Sequence, residues 1–369
     1  MAVRPGKHGS SWFWKAALFL VFLMVPLGIG VLGMLWDFLE EYQESLPENA
    51  AQQGLMLFEN QQLEALAPYF SYTPHPLEAE GNFAQAVEQY FAPKEGGKGE
   101  YSLIPKVGTG SEKRFVVALD GVQIAELVLT PSGKTQRYQL DTWQISDIEV
   151  SPISGKYGVE ILAPAGIQLT INANDLSQDY MVDNAVAMDI SGYQELPEGY
   201  GQPTYIRYRV EGLLQMPQVE AQAVDGGSCA LNLTEEKDGI AYYEVIHYAS
   251  EEFASASGVK AENVAKLYAE FITKDASFGE LLPYLLENGS LYNHLYGFSN
   301  AWYITHDANA FENLEMGNFI LYDASHYSCD IQFDYYIYMG SKSYQYPTAY
   351  TLYFVREGEQ WKLASLEVR

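Results

Sequence analysis

Cysteine is scarce in this chain: 369 residues contain two, Cys229 and Cys329. Two thiols cannot build a disulfide framework, a four-cysteine zinc site or an iron–sulfur cluster. Basic residues are scarce too. Against 48 Asp and Glu stand 21 Lys and Arg, for a formal net charge of −27. So few cations cannot track a phosphate backbone, which excludes a nucleic-acid binder. Catalytic signatures are missing as well. The sequence has no GxSxG, Walker A, HExxH or EF-hand loop. Ser257-Gly-Val-Lys260 matches the SxxK of penicillin-binding proteins, but no Lys-Thr-Gly occurs to complete it. Gly28-Ile-Gly30-Val-Leu-Gly33 matches GxGxxG inside an apolar run, without the preceding strand that a dinucleotide site needs. No cofactor is expected.

What the chain does have is one long apolar run. Ala16 to Trp36 reads AALFLVFLMVPLGIGVLGMLW, 21 residues without a charge. At 1.5 Å per residue a helix of that length reaches about 31 Å, the thickness of a bilayer's hydrocarbon core. Trp12, Trp14 and Trp36 stand where interfacial aromatics belong. Arg4, Lys7 and Lys15 precede the run. Asp37, Glu40, Glu41, Glu44 and Glu48 follow it, with no base until Lys94. By the positive-inside rule, residues 1–15 are a cytoplasmic N-terminus, residues 16–36 a transmembrane helix, and the acidic bulk lies outside the cell membrane. A cleaved signal peptide fits less well, because the apolar run exceeds the usual 7–15 residues and no clear small-x-small site closes it.

The outer part is 48% hydrophobic with the rest of the chain and rich in tyrosine, with 29 copies, so it folds into two or three domains. Residues 49–92 read as helical, with Asn49 as a cap, a stop near Pro68 and a breaker at Ser71–Pro76. From Tyr101 the period becomes two. Phe115–Leu119 and Val122–Leu129 are joined by Asp120-Gly121, a hairpin signal. Residues 151–250 read as short strands separated by turn clusters, the pattern of a small β-sandwich. In residues 251–369, Val264, Leu267, Tyr268, Phe271 and Ile272 form one helical stripe. Strands follow at Trp302–Thr305, Asn318–Tyr322, Cys329–Met339, Ala349–Arg356 and Trp361–Arg369. Cys229 and Cys329 fall in different predicted domains and read as separate buried thiols.

Trp143-Gln-Ile-Ser-Asp-Ile-Glu-Val150 lines up without a gap with Trp361-Lys-Leu-Ala-Ser-Leu-Glu-Val368. Each ends a helix-then-sheet stretch, which implies two copies of one α+β module, residues 37–150 and 251–369, flanking a β-domain at 151–250. The final strands Tyr350–Arg369, with their Glu357-Gly358-Glu359 turn, resemble those of the nuclear transport factor 2-like (cystatin-like α+β cone) superfamily. Val159–Leu176 resembles PEGA-type envelope β-domains, with Asn172-Ala173 where those usually carry Asn-Gly. The layout of basic N-terminus, single anchor and outer modules resembles TcaA/YvbJ-like envelope proteins of Gram-positive bacteria. These resemblances imply an α+β fold and a membrane-anchored envelope protein that binds or scaffolds a protein, peptide or glycan. The cone resemblance also admits a lyase or isomerase in the last module, or a purely structural spacer.

Candidate residues follow from chemistry. Tyr303, His306 and Asp307 are the weak catalytic set, since a histidine beside a carboxylate can serve as a general base. In a strand, however, neighbours such as His306 and Asp307 face opposite ways. His294, His306 and His326 match no metal-ligand spacing, so no metal is expected. Tyr322, Tyr336, Tyr338 and Tyr353 are the speculative ligand-binding set, because a tyrosine wall offers rigid apolar faces with hydroxyls.

Overall fold

A computed structural model describes residues 10–107, 111–298 and 305–369. It is an α+β chain dividing into two compact units. The first comprises residues up to 73 and 83–153, and the second residues 74–82 and 154–369.

The first unit begins with α1 (Ser10–Glu44), 35 residues or about 52 Å long. Its apolar side chains, from Phe13 through Trp36, are exposed, and none of the apolar window is buried in protein. Pro26 sits inside without breaking the helix. Beyond the apolar run the helix continues through its carboxylates, and the later loop at residues 135–140 meets them. Arg137 pairs with Asp37, its amide donates to Glu41, and the Tyr138 hydroxyl donates to the Met34 carbonyl at 3.1 Å.

Next come α2 (Pro47–Glu59), α3 (Leu63–Leu66), a 3-10 turn at Ala67–Tyr69 and α4 (Asn82–Phe91). The second helix starts at Pro47, two residues before the expected Asn49 cap, because proline's fixed φ suits a first helical position. It buries Ala51, Gly54, Leu55 and Phe58. A Cβ on Gly54 would lie 2.7 Å from the Leu127 side chain, so glycine is what lets this helix approach the sheet. That sheet is an antiparallel meander of β1 (Tyr101–Lys106), β2 (Lys113–Leu119), β3 (Val122–Lys134) and β4 (Asp141–Val150). Asp120 and Gly121 both take positive φ in the tight turn between β2 and β3, as the sequence indicates. The Asp120 carboxylate also accepts amides from Lys94, Lys98, Gly99 and Glu100, so it ties down the preceding loop.

The second unit contains two packed layers of strand. The strands β5 (Tyr157–Pro164), β6 (Ile167–Ile171), β7 (Asn174–Asp175), β8 (Met181–Ala187), β9 (Thr204–Leu213), β10 (Val219–Ala223), β11 (Ser228–Lys237) and β12 (Ile240–Tyr248) form it. Their core joins Val159, Ile161, Val210 and Val245 of the larger sheet to Leu169 and Ile171 of the three-stranded sheet β10-β6-β7. β5 and β12 run parallel. Asn172 and Ala173 both take positive φ, which explains the Asn at that turn and makes Ala173 an unusual partner. Asn172 also donates to the Leu77 carbonyl and accepts from the Gln218 amide. Leu77, just past the breaker read at Ser71–Pro76, is buried in the same core, and residues 74–82 belong to this unit as a strap.

α5 (Glu251–Thr273) follows, capped by the Ser250 side chain and closed by Lys274 in the left-handed region. Val264 of the expected stripe is fully buried, flanked by Ala261, Ala265 and Ala269, whose small side chains allow close packing. Then come α6 (Phe278–Leu281), a 3-10 turn at Leu282–Tyr284 and α7 (Ser290–Leu295). The meander of β13 (Ala308–Asp323), β14 (His326–Met339), β15 (Lys342–Glu357) and β16 (Gln360–Val368) completes the unit. Where the sequence suggests a break before Asn318, one long strand runs instead. Asn313 and Asn318 take positive φ beside register shifts, so these residues mark bulges and not strand ends. One pair, Tyr248 with Ile320, links β12 to β13 and makes a single nine-stranded sheet.

The two helix-then-meander stretches share their element order. Both carry a short helix running into a 3-10 turn with three of four residues shared, Leu66-Ala-Pro-Tyr69 and Leu281-Leu-Pro-Tyr284. Leu66 and Leu281 are both fully buried. The matching Trp143 and Trp361 segments are the last strands of their meanders.

Candidate functional site

The weak catalytic set separates in space. His306 directs Nε2 at Asp275, 3.0 and 2.8 Å from its two oxygens, and its side chain is 2% exposed. Asp275 also accepts from Thr273 Oγ1 at 2.6 Å and the Tyr335 hydroxyl at 3.1 Å. Asp307 faces elsewhere and accepts the Gly340 amide at 2.7 Å, closing the β14–β15 turn. Tyr303 lies outside the described residues. The histidine therefore has a carboxylate partner, but 31 residues upstream instead of next door. The space between α5 and the sheet holds Tyr268, Phe311, Phe333, Tyr335 and Tyr350, with Phe311 and Tyr335 ring centroids 4.8 Å apart. Among the described residues these side chains pack against one another in that space.

The tyrosine set divides in two. Tyr322 and Tyr353 are covered by the chain's own Tyr193, whose ring meets theirs edge-on at 5.6 and 5.5 Å. The Tyr193 hydroxyl donates to the Tyr327 carbonyl at 2.7 Å, with the Phe354 carbonyl at 3.1 Å. Gly192 makes this possible, since a Cβ there would lie 2.1 Å from the Tyr353 ring. Tyr353 is buried and Tyr322 half-buried, so Tyr193 occupies ring surface that a ligand would need. Tyr336 and Tyr338 stack on each other, half-buried, on the opposite side of β14 from the helix.

The three histidines have separate surroundings. His294 is on α7, His306 is on Asp275, and His326 directs Nδ1 at Asp323 from 2.9 Å. Among the described residues no group of three His, Cys, Asp or Glu gathers as a metal would require. Cys329 is buried on β14 and Cys229 half-buried on β11, both as free thiols. Burial pushes the thiol pKa of each above its ordinary value.

Sequence reading misses a cavity of about 300 Å³ in the second unit, lined by Val224, Asp225, His247, Phe253, Leu321, Asp323, Arg356 and Trp361 among others. It forms where the β10–β11 turn, the start of α5, the β13–β14 turn and the end of the last hairpin meet. His247 is buried and places Nε2 3.0 Å from Asp225 Oδ1, which also accepts the Gly227 amide. Arg356 and Trp361 are cross-strand partners, and the guanidinium sits 6.0 Å from the indole centre. No local signal points here. Asp225-Gly226-Gly227 reads as a turn, and its partners lie on strands 22 or more residues away.

Three carboxylates of this unit, Asp225, Asp275 and Asp323, are bonded to histidines and held below the ordinary carboxylate range. In each, burial pushes the pKa up, but hydrogen bonds outweigh it. They come from the Gly227 amide and His247 for Asp225, and from Thr273, His306, Asn309 and Tyr335 for Asp275. For Asp323 they come from His326 and the Ser325 amide. A folded pKa below the unfolded value of about 3.9 gives stability that is present above that pH and lost as pH falls toward the folded value. The second unit is therefore expected to unfold at lower denaturant at about pH 3 than at about pH 7. Asp275→Asn should flatten that dependence, and equal midpoints at both pH values would contradict the assignment.

No protein-family model matches the sequence. No curated protein matches it. Among solved structures, a protein described as "Ntf2 like protein involved in plasmid conjugation" is similar at 11% identity, over 73% of this chain and 76% of that one, with a TM-score of 0.20. A superposition at that score carries no argument. The class is set by the elements themselves: an α+β protein with one long, exposed apolar helix near its N-terminus.

Proposed function

We propose that this chain is a single-pass membrane protein of the bacterial cell envelope, whose acidic bulk binds or scaffolds a partner outside the cytoplasm. The observation that carries this reading is α1, whose apolar side chains find no protein surface to cover them. A helix apolar all round and unburied needs lipid. Orientation is supported by the flanks, with Arg4, Lys7 and Lys15 before the span and five carboxylates soon after it. The shared element order of the two helix-then-meander stretches supports reading both as nuclear transport factor 2-like modules. The filled interior of the second favours binding over turnover.

The test uses the full chain with a tag at each end. Alkaline washing is expected to leave it in the membrane pellet. Protease added to cells stripped of their wall is expected to destroy the C-terminal tag and spare the N-terminal one. Release by the wash, or the reverse protection, would refute the reading.

A further inference from the structure

The cavity at Arg356 and Trp361 combines three features that converge on one kind of ligand. The first is an anion receptor. Among the described residues Arg356 makes no ion pair, although the chain carries more than two acids per base. Its guanidinium instead lies against Trp361, which holds the planar fork in place. A held fork with free N–H donors suits a carboxylate, which it can bind through two parallel hydrogen bonds. The second is a cation receptor across the same space. Asp225 uses Oδ1 for both the Gly227 amide and His247, and among the described residues Oδ2 accepts no hydrogen bond. The third is apolar lining from Val224, Phe253, Leu321 and Trp361. At about 300 Å³ the cavity stands at the small end of ligand sites, which suits a monomer more than a polymer.

We propose that this cavity binds a free amino acid with an apolar side chain, its carboxylate on Arg356 and its ammonium on Asp225. The assignment deepens the binding reading above by naming a ligand class, and it is independent of which way the anchor crosses the membrane. His247 acts as a positioning residue, since its bond to Oδ1 fixes the Asp225 carboxylate, a residue that lines the cavity. The Trp361 backbone is held in turn by the Lys260 ammonium, which donates to its carbonyl at 2.7 Å.

The experiment is calorimetric titration of the full chain in detergent micelles with free L-leucine, L-valine and L-phenylalanine, each tested singly. Leucinamide, which lacks the carboxylate, and N-acetyl-leucine, which lacks the ammonium, are run beside them. Saturable binding of at least one free amino acid is expected. Both blocked forms should bind at least about tenfold more weakly, as loss of a charge-assisted bond implies. Arg356→Gln should weaken leucine by a similar factor and leave leucinamide unchanged, because the partner of Arg356 is already missing in leucinamide. Asp225→Asn should do the same for N-acetyl-leucine. Arg356 is exposed, so its replacement is expected to keep the fold, checked by an unchanged denaturation midpoint. Absence of heat with every free amino acid, binding of the blocked forms alone, or leucine binding unaffected by Arg356→Gln would overturn the proposal. A chain that binds leucine yet washes off membranes would overturn the anchor reading alone.

Discussion

Tyr193→Ala is expected to destabilise the second unit by about 3–5 kcal/mol, the range for removing a fully buried aromatic ring. Tyr193 is 1% exposed and is the centre of a small core with Leu286, Tyr353, Val355 and Ala364. Three aromatic neighbours, Tyr322, His326 and Tyr353, all meet it edge-on within 5.6 Å. The ring comes from a loop between β8 and β9 and closes over β14 and β15. Its loss leaves a cavity that the stiff sheet beneath cannot collapse to fill. Tyr193→Phe keeps the ring and removes one donor, so it should cost only about 0.5–1.5 kcal/mol. Denaturant unfolding of both variants separates the ring from the hydroxyl. Amide exchange adds a local readout, with protection at residues 188–203 falling sharply in the alanine variant. An alanine variant as stable as the parent would mean that the loop does not dock.

The contrast between Tyr193 and its neighbours shows what the sequence carries and what it does not. Elements whose cause is local are legible. The α5 stripe repeats at helical spacing, Asp120-Gly121 has the residues that positive φ demands, and the apolar run of α1 is unbroken for 21 residues. The Trp143 and Trp361 segments each close a four-stranded meander, and Leu66 and Leu281 are both buried in the turns that precede them. Asn318 misleads because the residues that end strands are also the residues that bulge them. The sites fail for a different reason. His306 finds Asp275 across a helix-to-strand connection, and Asp225 finds His247 across a hairpin. Tyr193 covers Tyr353 from 160 residues away in the chain. No periodicity encodes such meetings, because side-chain chemistry at one position says nothing about which loop will fold over it. A surface full of tyrosines therefore looks the same in sequence whether it awaits a ligand or is already covered.

Leu23→Arg together with Leu27→Arg is expected to abolish stable membrane retention. Both residues lie in the middle of α1's apolar run and are exposed. An arginine at the centre of a spanning helix costs about 2.5–3.5 kcal/mol on insertion scales, so the pair costs about 5–7 kcal/mol. Among the described residues no element covers α1 in the span to supply a carboxylate partner, and Asp37 lies ten or more residues further on. Snorkelling does not relieve them either, because both sit far from the helix ends. The folded units should be untouched. Their cores are built from residues beyond Ala50, and the contacts of Arg137 and Tyr138 with α1 begin at Met34. The prediction is therefore selective: the variant moves from the alkaline-washed pellet to the soluble fraction, while the denaturation midpoint of the second unit stays where it was. Lys7→Glu combined with Lys15→Glu is the companion test. It leaves the hydrophobicity of the span intact and alters only the charge asymmetry. Retention should persist, and a growing share of the chains should place the C-terminal tag on the protected side. If the double arginine variant stayed in the washed pellet, the helix would owe its place to protein contacts and not to lipid.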